Sequence, residues 1–192
     1  ALGRLWQQFG LTPSGVMGHS VGEFAAAVLA GVYTLEEGLQ LIQFRAQKMQ
    51  SLPQGGGMLA MLCDQNRVET LRQTIPELTN VIDYAAFNTP NQTVLSGPID
   101  ALDQLAKCAR QAKIKAIPLQ VSHAFHSHLM DPILDSFEAM ANNLHPIDPT
   151  LPLISNVHGK VMHTAPNGRY WRDHIRQPVQ FMQGLTQLIE LG

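Results

Sequence analysis

The sequence predicts an α/β protein with a smaller, β-rich subdomain inserted into it. Three observations carry that expectation. An apolar run, a glycine-flanked serine and an alanine-rich helical stretch succeed one another in "SGVMGHSVGEFAAAVLAG", the order strand, turn, helix. Between Gly57 and Gln120 the pattern alternates as β-α-β-β-α-β, the order of a ferredoxin-like unit. Helical periodicity then resumes from "VSHAFHSHLM" onward. The predicted organisation is a larger α/β part over residues 1–54 and 122–192, interrupted by a ferredoxin-like subdomain over 55–121. A chain of 192 residues that is 45% apolar can bury one sizeable core with a smaller packed layer beside it.

Taken in order, Leu2, Leu5, Trp6 and Phe9 form one helical face that Gly10 ends. "SGVMG" is a very short strand, and "VGEFAAAVLAG" a helix closed by Gly31. Thr34 and Glu37 have capping-box spacing, and Leu35, Leu39, Ile42, Ala46 and Met49 mark the buried stripe of the next helix. "LPQGGG" reads as a turn or hinge. In the inserted part, "MLAML" predicts a strand and residues 65–74 a helix. "VIDYAAFN" and "QTVLSG" are strands around a Pro-Asn turn, residues 100–111 a helix and "IKAIPLQ" a strand. After it come a helix through Ile133, Phe137 and Met140, the strand "LPLISNV", and a last helix after "RQPVQF". The chain crosses twice between the two parts, which makes their junction the natural place for a cleft. Both ends read as helices without caps, as expected of a fragment of a larger domain.

Thirteen Lys and Arg against 15 Asp and Glu leave a formal charge of −2 and no basic run, which argues against nucleic acid or an anionic membrane as partner. Cys63 and Cys108 have neither metal-ligand spacing nor the density of a disulfide scaffold, and read as core thiols. No apolar stretch reaches membrane-spanning length and "ALGRLWQQFG" lacks the form of a signal peptide. A soluble, cytoplasmic protein is the expectation.

Gly18-His19-Ser20-Val21-Gly22 fits G-x-S-x-G, with a strand before it and a helix after it. Small flanking residues relieve crowding at a sharp elbow, the serine is presented at a helix N-terminus, and Val21 N–H is the local donor for an oxyanion. The competing reading is that Ser20 merely caps the helix. A serine hydroxyl needs a base. His19 is adjacent, but an elbow points successive side chains apart, which makes it a wall residue. His126 lies with His123 and His128 where the chain leaves the inserted part. Three histidines in one stretch also suit a metal, yet no Cys or acidic cluster completes a ligand set, and no metal is expected. Asp131-Pro132 resembles a helix start more than a third triad member. A backbone carbonyl at Gln177-Pro178 is an alternative orienting group, giving a Ser-His dyad. Glu23 secures the elbow or serves first-turn helix electrostatics. Arg45 pairs with a surface acid or clamps a substrate carboxylate, a task that suits its planar guanidinium. Asn88 and Asn156 read as turn and backbone-satisfying groups.

Together "GHSVGE", "FRAQKMQ", "VSHAFHSHLMDP", "ISNVHG" and "YWRDHIRQPVQF" resemble the acyltransferase domain of modular polyketide synthases, related to malonyl-CoA:acyl carrier protein transacylases. The likeness runs through nearly the whole chain in order. It implies a large α/β-hydrolase-like subdomain carrying a small ferredoxin-like insert. It also implies transfer of an acyl unit from coenzyme A to the phosphopantetheine thiol of an acyl carrier protein, with no bound cofactor, beside ketosynthase and linker regions of one polypeptide. The resemblance makes Ser20 the nucleophile, His126 the acid/base and Arg45 the binder of a malonyl carboxylate. His19 lines the site, and Gln177 orients His126 through its carbonyl. His123 and Phe125, in "HAFH", match a malonyl-type selectivity motif, and Val21 agrees with that choice. His128 stands where proline is common, and His158 where threonine is. The resemblance also implies a second oxyanion contact upstream of this sequence, so the stretch alone is expected to be incomplete as a catalyst. A serine thioesterase or esterase, and a noncatalytic carrier-docking domain, are the alternatives.

Overall fold

Helix α1 (Leu2–Gln8) ends at Gly10, whose φ of 83° suits only glycine without strain, and strand β1 (Val16–Met17) follows. The computed structural model describes residues 2–191. Helix α2 (Gly22–Leu29) runs from the glycine-rich turn to Gly31, again at positive φ. Helix α3 (Leu35–Gln50) opens on the expected capping box: Thr34 Oγ1 accepts from Glu37 N–H while Glu37 reaches back to Thr34 N–H.

The stripe expected on α3 requires correction. Leu35 and Leu39 are 58% and 56% exposed and Ala46 is also exposed, whereas Gly38, Leu41 and Met49 form the buried face. Apolar residues occupy two faces of this helix. One packs on α2, where a Cβ at Gly38 would meet Val28 Cγ2 at 2.4 Å. The other opens, with Leu2, Val28 and Ile42, onto an apolar groove of about 520 Å³. Periodicity finds an apolar face but not what covers it.

Strand β2 (Gly56–Met61) starts inside the glycine run expected to be a hinge. A Cβ at Gly56 would lie 2.7 Å from Ala124 N, so the glycine lets the returning chain pass closely. Helix α4 (Gln65–Gln73), strands β3 (Asp83–Thr89) and β4 (Gln92–Pro98), helix α5 (Ile99–Gln111) and strand β5 (Ala116–Pro118) complete the β-α-β-β-α-β order. Their sheet is antiparallel in the order β3-β4-β2-β5. One face packs Leu59, Met61 and Leu95 against Val68 and Leu105 of the helices. The other presents Ala60, Ala85, Ala86 and Val94 to Val179 and Phe181. Those alanines leave room for a neighbouring backbone.

Helix α6 (Asp131–Ala141), strands β6 (Leu153–Ile154) and β7 (Val161–Met162), and helices α7 (Gly168–Arg176) and α8 (Phe181–Glu190) form the remainder. β1 pairs with β6 in parallel and β6 with β7 antiparallel. Around this second sheet Phe24, Leu41, Phe137 and Trp171 make the larger core, with Phe24 stacked on Trp171 at 4.3 Å. β7 and α7 had no clear counterpart in the sequence pattern.

Candidate active site

The elbow at Ser20 follows from local crowding. A Cβ at Gly18 would stand 2.0 Å from Gly22 C, so residue 18 must be glycine for the chain to turn back on itself. A Cβ at Gly22 would meet nothing, so the relief of crowding expected at both flanks operates at the first alone. Ser20 adopts a φ of 51°, a strained value for a side-chain-bearing residue. The cap reading fails on geometry: the N-cap of α2 is Val21, no side chain caps it, and Ser20 Oγ points elsewhere.

It points to His126. Ser20 Oγ lies 2.7 Å from Nε2, and His126 Nδ1 lies 3.0 Å from the Gln177 carbonyl. A carbonyl only accepts, so Nδ1 carries the proton and Nε2 is left to accept from the serine. His126 also has a positive φ, 57°. Gln177 is fixed from both sides. Its N–H donates to Asp173 O at the end of α7, and two residues on, Val179 joins the edge of β3 through Val179 N to Ala85 O and Phe87 N to Val179 O, both 2.9 Å. Burial first, then the neighbouring His174 and Arg45, push the His126 imidazole down to about 3. It is a neutral acceptor at physiological pH.

Arg45 approaches from α3, with NH2 3.4 Å from Ser20 Oγ and the guanidinium 5.9 Å from the centre of the Phe125 ring. Its Nε is buried without a partner, and burial lowers the group to about 10, which leaves it cationic at neutral pH. It pairs with no acid among the described residues, contrary to the simpler of its two roles. Val21 N–H makes no hydrogen bond among the described residues and is free at the start of α2.

The three histidines of "HAFHSH" have three different partners. His123 is buried with Nε2 3.2 Å from the Leu52 carbonyl, His126 faces Ser20, and His128 Nδ1 lies 2.7 Å from Asp83 Oδ2. His19 is exposed, with Nε2 2.8 Å from Asn88 Oδ1 and its ring 5.0 Å from Phe181.

The family model described as "Acyl transferase domain" matches residues 1–192. The chain belongs to this family. The acyltransferase domain is 39% identical over 190 residues to the phenolphthiocerol synthesis polyketide synthase type I Pks15/1 of Mycobacterium marinum, covering 97% of this chain and 9% of that protein. It is 42% identical over 182 residues to the mycoketide-CoA synthase of Mycobacterium tuberculosis, covering 94% of this chain and 4% of that one. Among solved structures, the acyltransferase domain from the second module of the salinomycin polyketide synthase superposes with a TM-score of 0.92 at 39% identity, over all of this chain and 44% of that chain. FabD from Acinetobacter baumannii gives 0.90 at 31% identity, over 98% of this chain and 62% of that one. The chain thus spans less than a tenth of those synthases and under two thirds of those solved chains.

Two groups in this acyltransferase domain exceed their expected parts. Asn88 sits in β3, and its side chain reaches across the junction to His19. Asn156 satisfies backbone groups as expected, but those groups belong to the elbow: its Oδ1 accepts from Ser20 N–H and its Nδ2 donates to Gly18 O, both at 2.7 Å. These contacts join residues 69 and 136–138 positions apart, a distance over which no local motif reports.

Proposed function

We propose that this domain transfers a malonyl unit from malonyl-CoA, through an ester on Ser20, to the phosphopantetheine thiol of an acyl carrier protein in polyketide synthesis. The observation that carries the reading is the chain Ser20 Oγ, His126 and Gln177 carbonyl with the buried Arg45 guanidinium beside the same hydroxyl. His126 Nε2 takes the Ser20 proton as Oγ attacks the thioester carbonyl, and Val21 N–H holds the developing oxyanion. The tetrahedral adduct collapses with loss of the coenzyme A thiolate, which recovers the proton from His126. In the second half the carrier's thiol gives its proton to His126 and its sulfur attacks the seryl ester. The C–Oγ bond breaks, and Oγ is reprotonated from His126.

Arg45 holds the distal carboxylate through both halves, a charge-assisted contact that favours malonyl over acetyl. Phe125, against that guanidinium, and His123, which fixes the segment behind it, bound the space next to the acyl α-carbon. His19 lines the entrance, seated by Asn88. We assign Gln177 as the group that orients His126, and place the reaction in the cytoplasm on a polypeptide that also carries ketosynthase and linker regions, as the synthase relatives suggest.

Incubating the complete domain with labelled malonyl-CoA, with and without holo carrier protein, tests the reading. A labelled Ser20 ester that moves onto the carrier is expected. Rapid release of free malonate that the carrier does not suppress would mark a thioesterase. No ester on a folded, complete domain would leave the noncatalytic docking reading.

A further inference from the structure

We propose that Asn156, seated by the buried Glu23, is a positioning residue that couples the Ser20 elbow to the segment holding His126. The inference deepens the proposed function and rests on it for the roles of Ser20 and His126.

Asn156 is 1% exposed, and all four of its hydrogen-bonding groups are engaged. Oδ1 accepts from Ser20 N–H and Nδ2 donates to Gly18 C=O, which ties together the two arms of the strained turn. The amide orientation is forced, because an N–H only donates and a carbonyl only accepts. The Asn156 carbonyl accepts from Gln180 N–H at 2.7 Å, three residues beyond the Gln177 carbonyl that holds His126 Nδ1. One residue therefore contacts the nucleophile's turn through its side chain and the base's support through its main chain. A group present only to satisfy a loop needs one of these bonds.

The fourth bond explains Glu23. Its side chain is fully buried, where an acid is costly unless its oxygens are used. Oε2 accepts from Asn156 N–H at 2.8 Å and Oε1 from the Tyr170 hydroxyl. Burial and Glu23 raise the Tyr170 phenol, so it stays a donor, and Ser155 Oγ lies 2.9 Å from it. His174 Nε2 is 3.4 Å from Glu23 Oε2, and that ring stands 6.3 Å from the His126 ring. Helix electrostatics alone would be served by an exposed acid, so this geometry favours the elbow-securing role for Glu23.

The test uses the complete domain and two reactions: acylation by malonyl-CoA, and labelling of Ser20 by a fluorophosphonate, in which Oγ bonds to phosphorus and fluoride leaves. Asn156→Ala is expected to slow both about 100-fold, the scale of a misplaced reacting group. KM for malonyl-CoA should stay within about threefold, since Arg45 is untouched. The isosteric Asn156→Asp keeps the acceptor for Ser20 N–H and loses the donor to Gly18, and should slow both about tenfold. Glu23→Gln, which still offers an acceptor to Asn156 N–H, should recover most of the loss caused by Glu23→Ala. The proposal is overturned if folded Asn156→Ala or Asn156→Asp labels within about twofold of the parent rate. It is equally overturned if every loss equals the unfolded fraction found by thermal melting. Failure of malonyl acylation in the unsubstituted domain would instead sink the proposed substrate, and the fluorophosphonate arm would still decide the role of Asn156.

Discussion

The supports of Ser20 and of His126 differ in kind. Ser20 is held from inside the larger core, by a turn that Gly18 permits and that Asn156, Glu23 and Tyr170 fasten with buried and part-buried hydrogen bonds. His126 is held at the junction of the two sheets by a main-chain carbonyl, and the flanking charges are partly wet. Arg176, next to Gln177, pairs with Asp83 of β3 at 3.1 Å and with Asp131 of α6 at 2.9 Å, and Asp83 also accepts from His128 N–H and Nδ1. The Arg176 side chain is 30% exposed and Asp131 56%. Hydrogen bonds shielded from solvent resist salt, whereas half-exposed ion pairs weaken with it. The Ser20 seat should therefore be rigid and the His126 seat adjustable from outside.

The largest expected effect comes from removing the proposed base. His126→Ala should slow Ser20 acylation roughly a thousandfold, measured in a single turnover, and leave the elbow network intact. Next, Arg45→Ala should lower kcat/KM for malonyl-CoA by about 30-fold and for acetyl-CoA by less than about threefold, as loss of a charge-assisted bond implies. Equal losses for both donors would remove Arg45 from carboxylate binding. A smaller effect sharpens the contrast between the two seats. Arg176→Ala should lower stability by about 1 kcal/mol. Salt should slow acylation less in that variant than in the parent, because the screened pairs are already gone. Unchanged salt dependence would mean that the clasp does not support the base.

Acid should act on His126 and on the Asp83 of its clasp in the same direction. His126 has a folded value far below the ordinary 6.5, so between pH 6.5 and about 3 the unfolded chain binds a proton that the folded chain refuses. Stability is lost as pH falls through that window. Burial would raise Asp83, but hydrogen bonds from His128 and the charge of Arg176 outweigh it and bring the carboxyl below its usual range. Its contribution is present above the unfolded value and disappears as pH falls through the lowered folded one.

Much of this was legible because elbows, caps and sheet order are local. Gly18, Ser20 and the strand-helix context sit within a few residues, the Thr34–Glu37 box spans four, and the β-α-β-β-α-β order needs only succession. Gln177 was one of two candidates for orienting His126 from the residues alone, and the resemblance singled it out, since a carbonyl carries no side-chain signal. Asn156 was assigned to backbone satisfaction without its object, since its partners lie far away in sequence. His128, which stands where proline is common, acquires a partner in Asp83, which folds in from the other sheet. On α3 the apolar spacing was real, but two faces shared it: Met49 is buried as expected, together with Gly38 and Leu41, while Leu35, Leu39 and Ala46 are exposed.

The central claim is that a neutral, buried His126 takes the Ser20 proton directly. Its most direct test is the pH dependence of the single-turnover rate at which malonyl-CoA acylates Ser20 in the complete domain. The rate should hold on the acid side well below pH 6.5 and fall only where the enzyme begins to unfold. A decline centred at the ordinary imidazole value, with the fold intact, would contradict it.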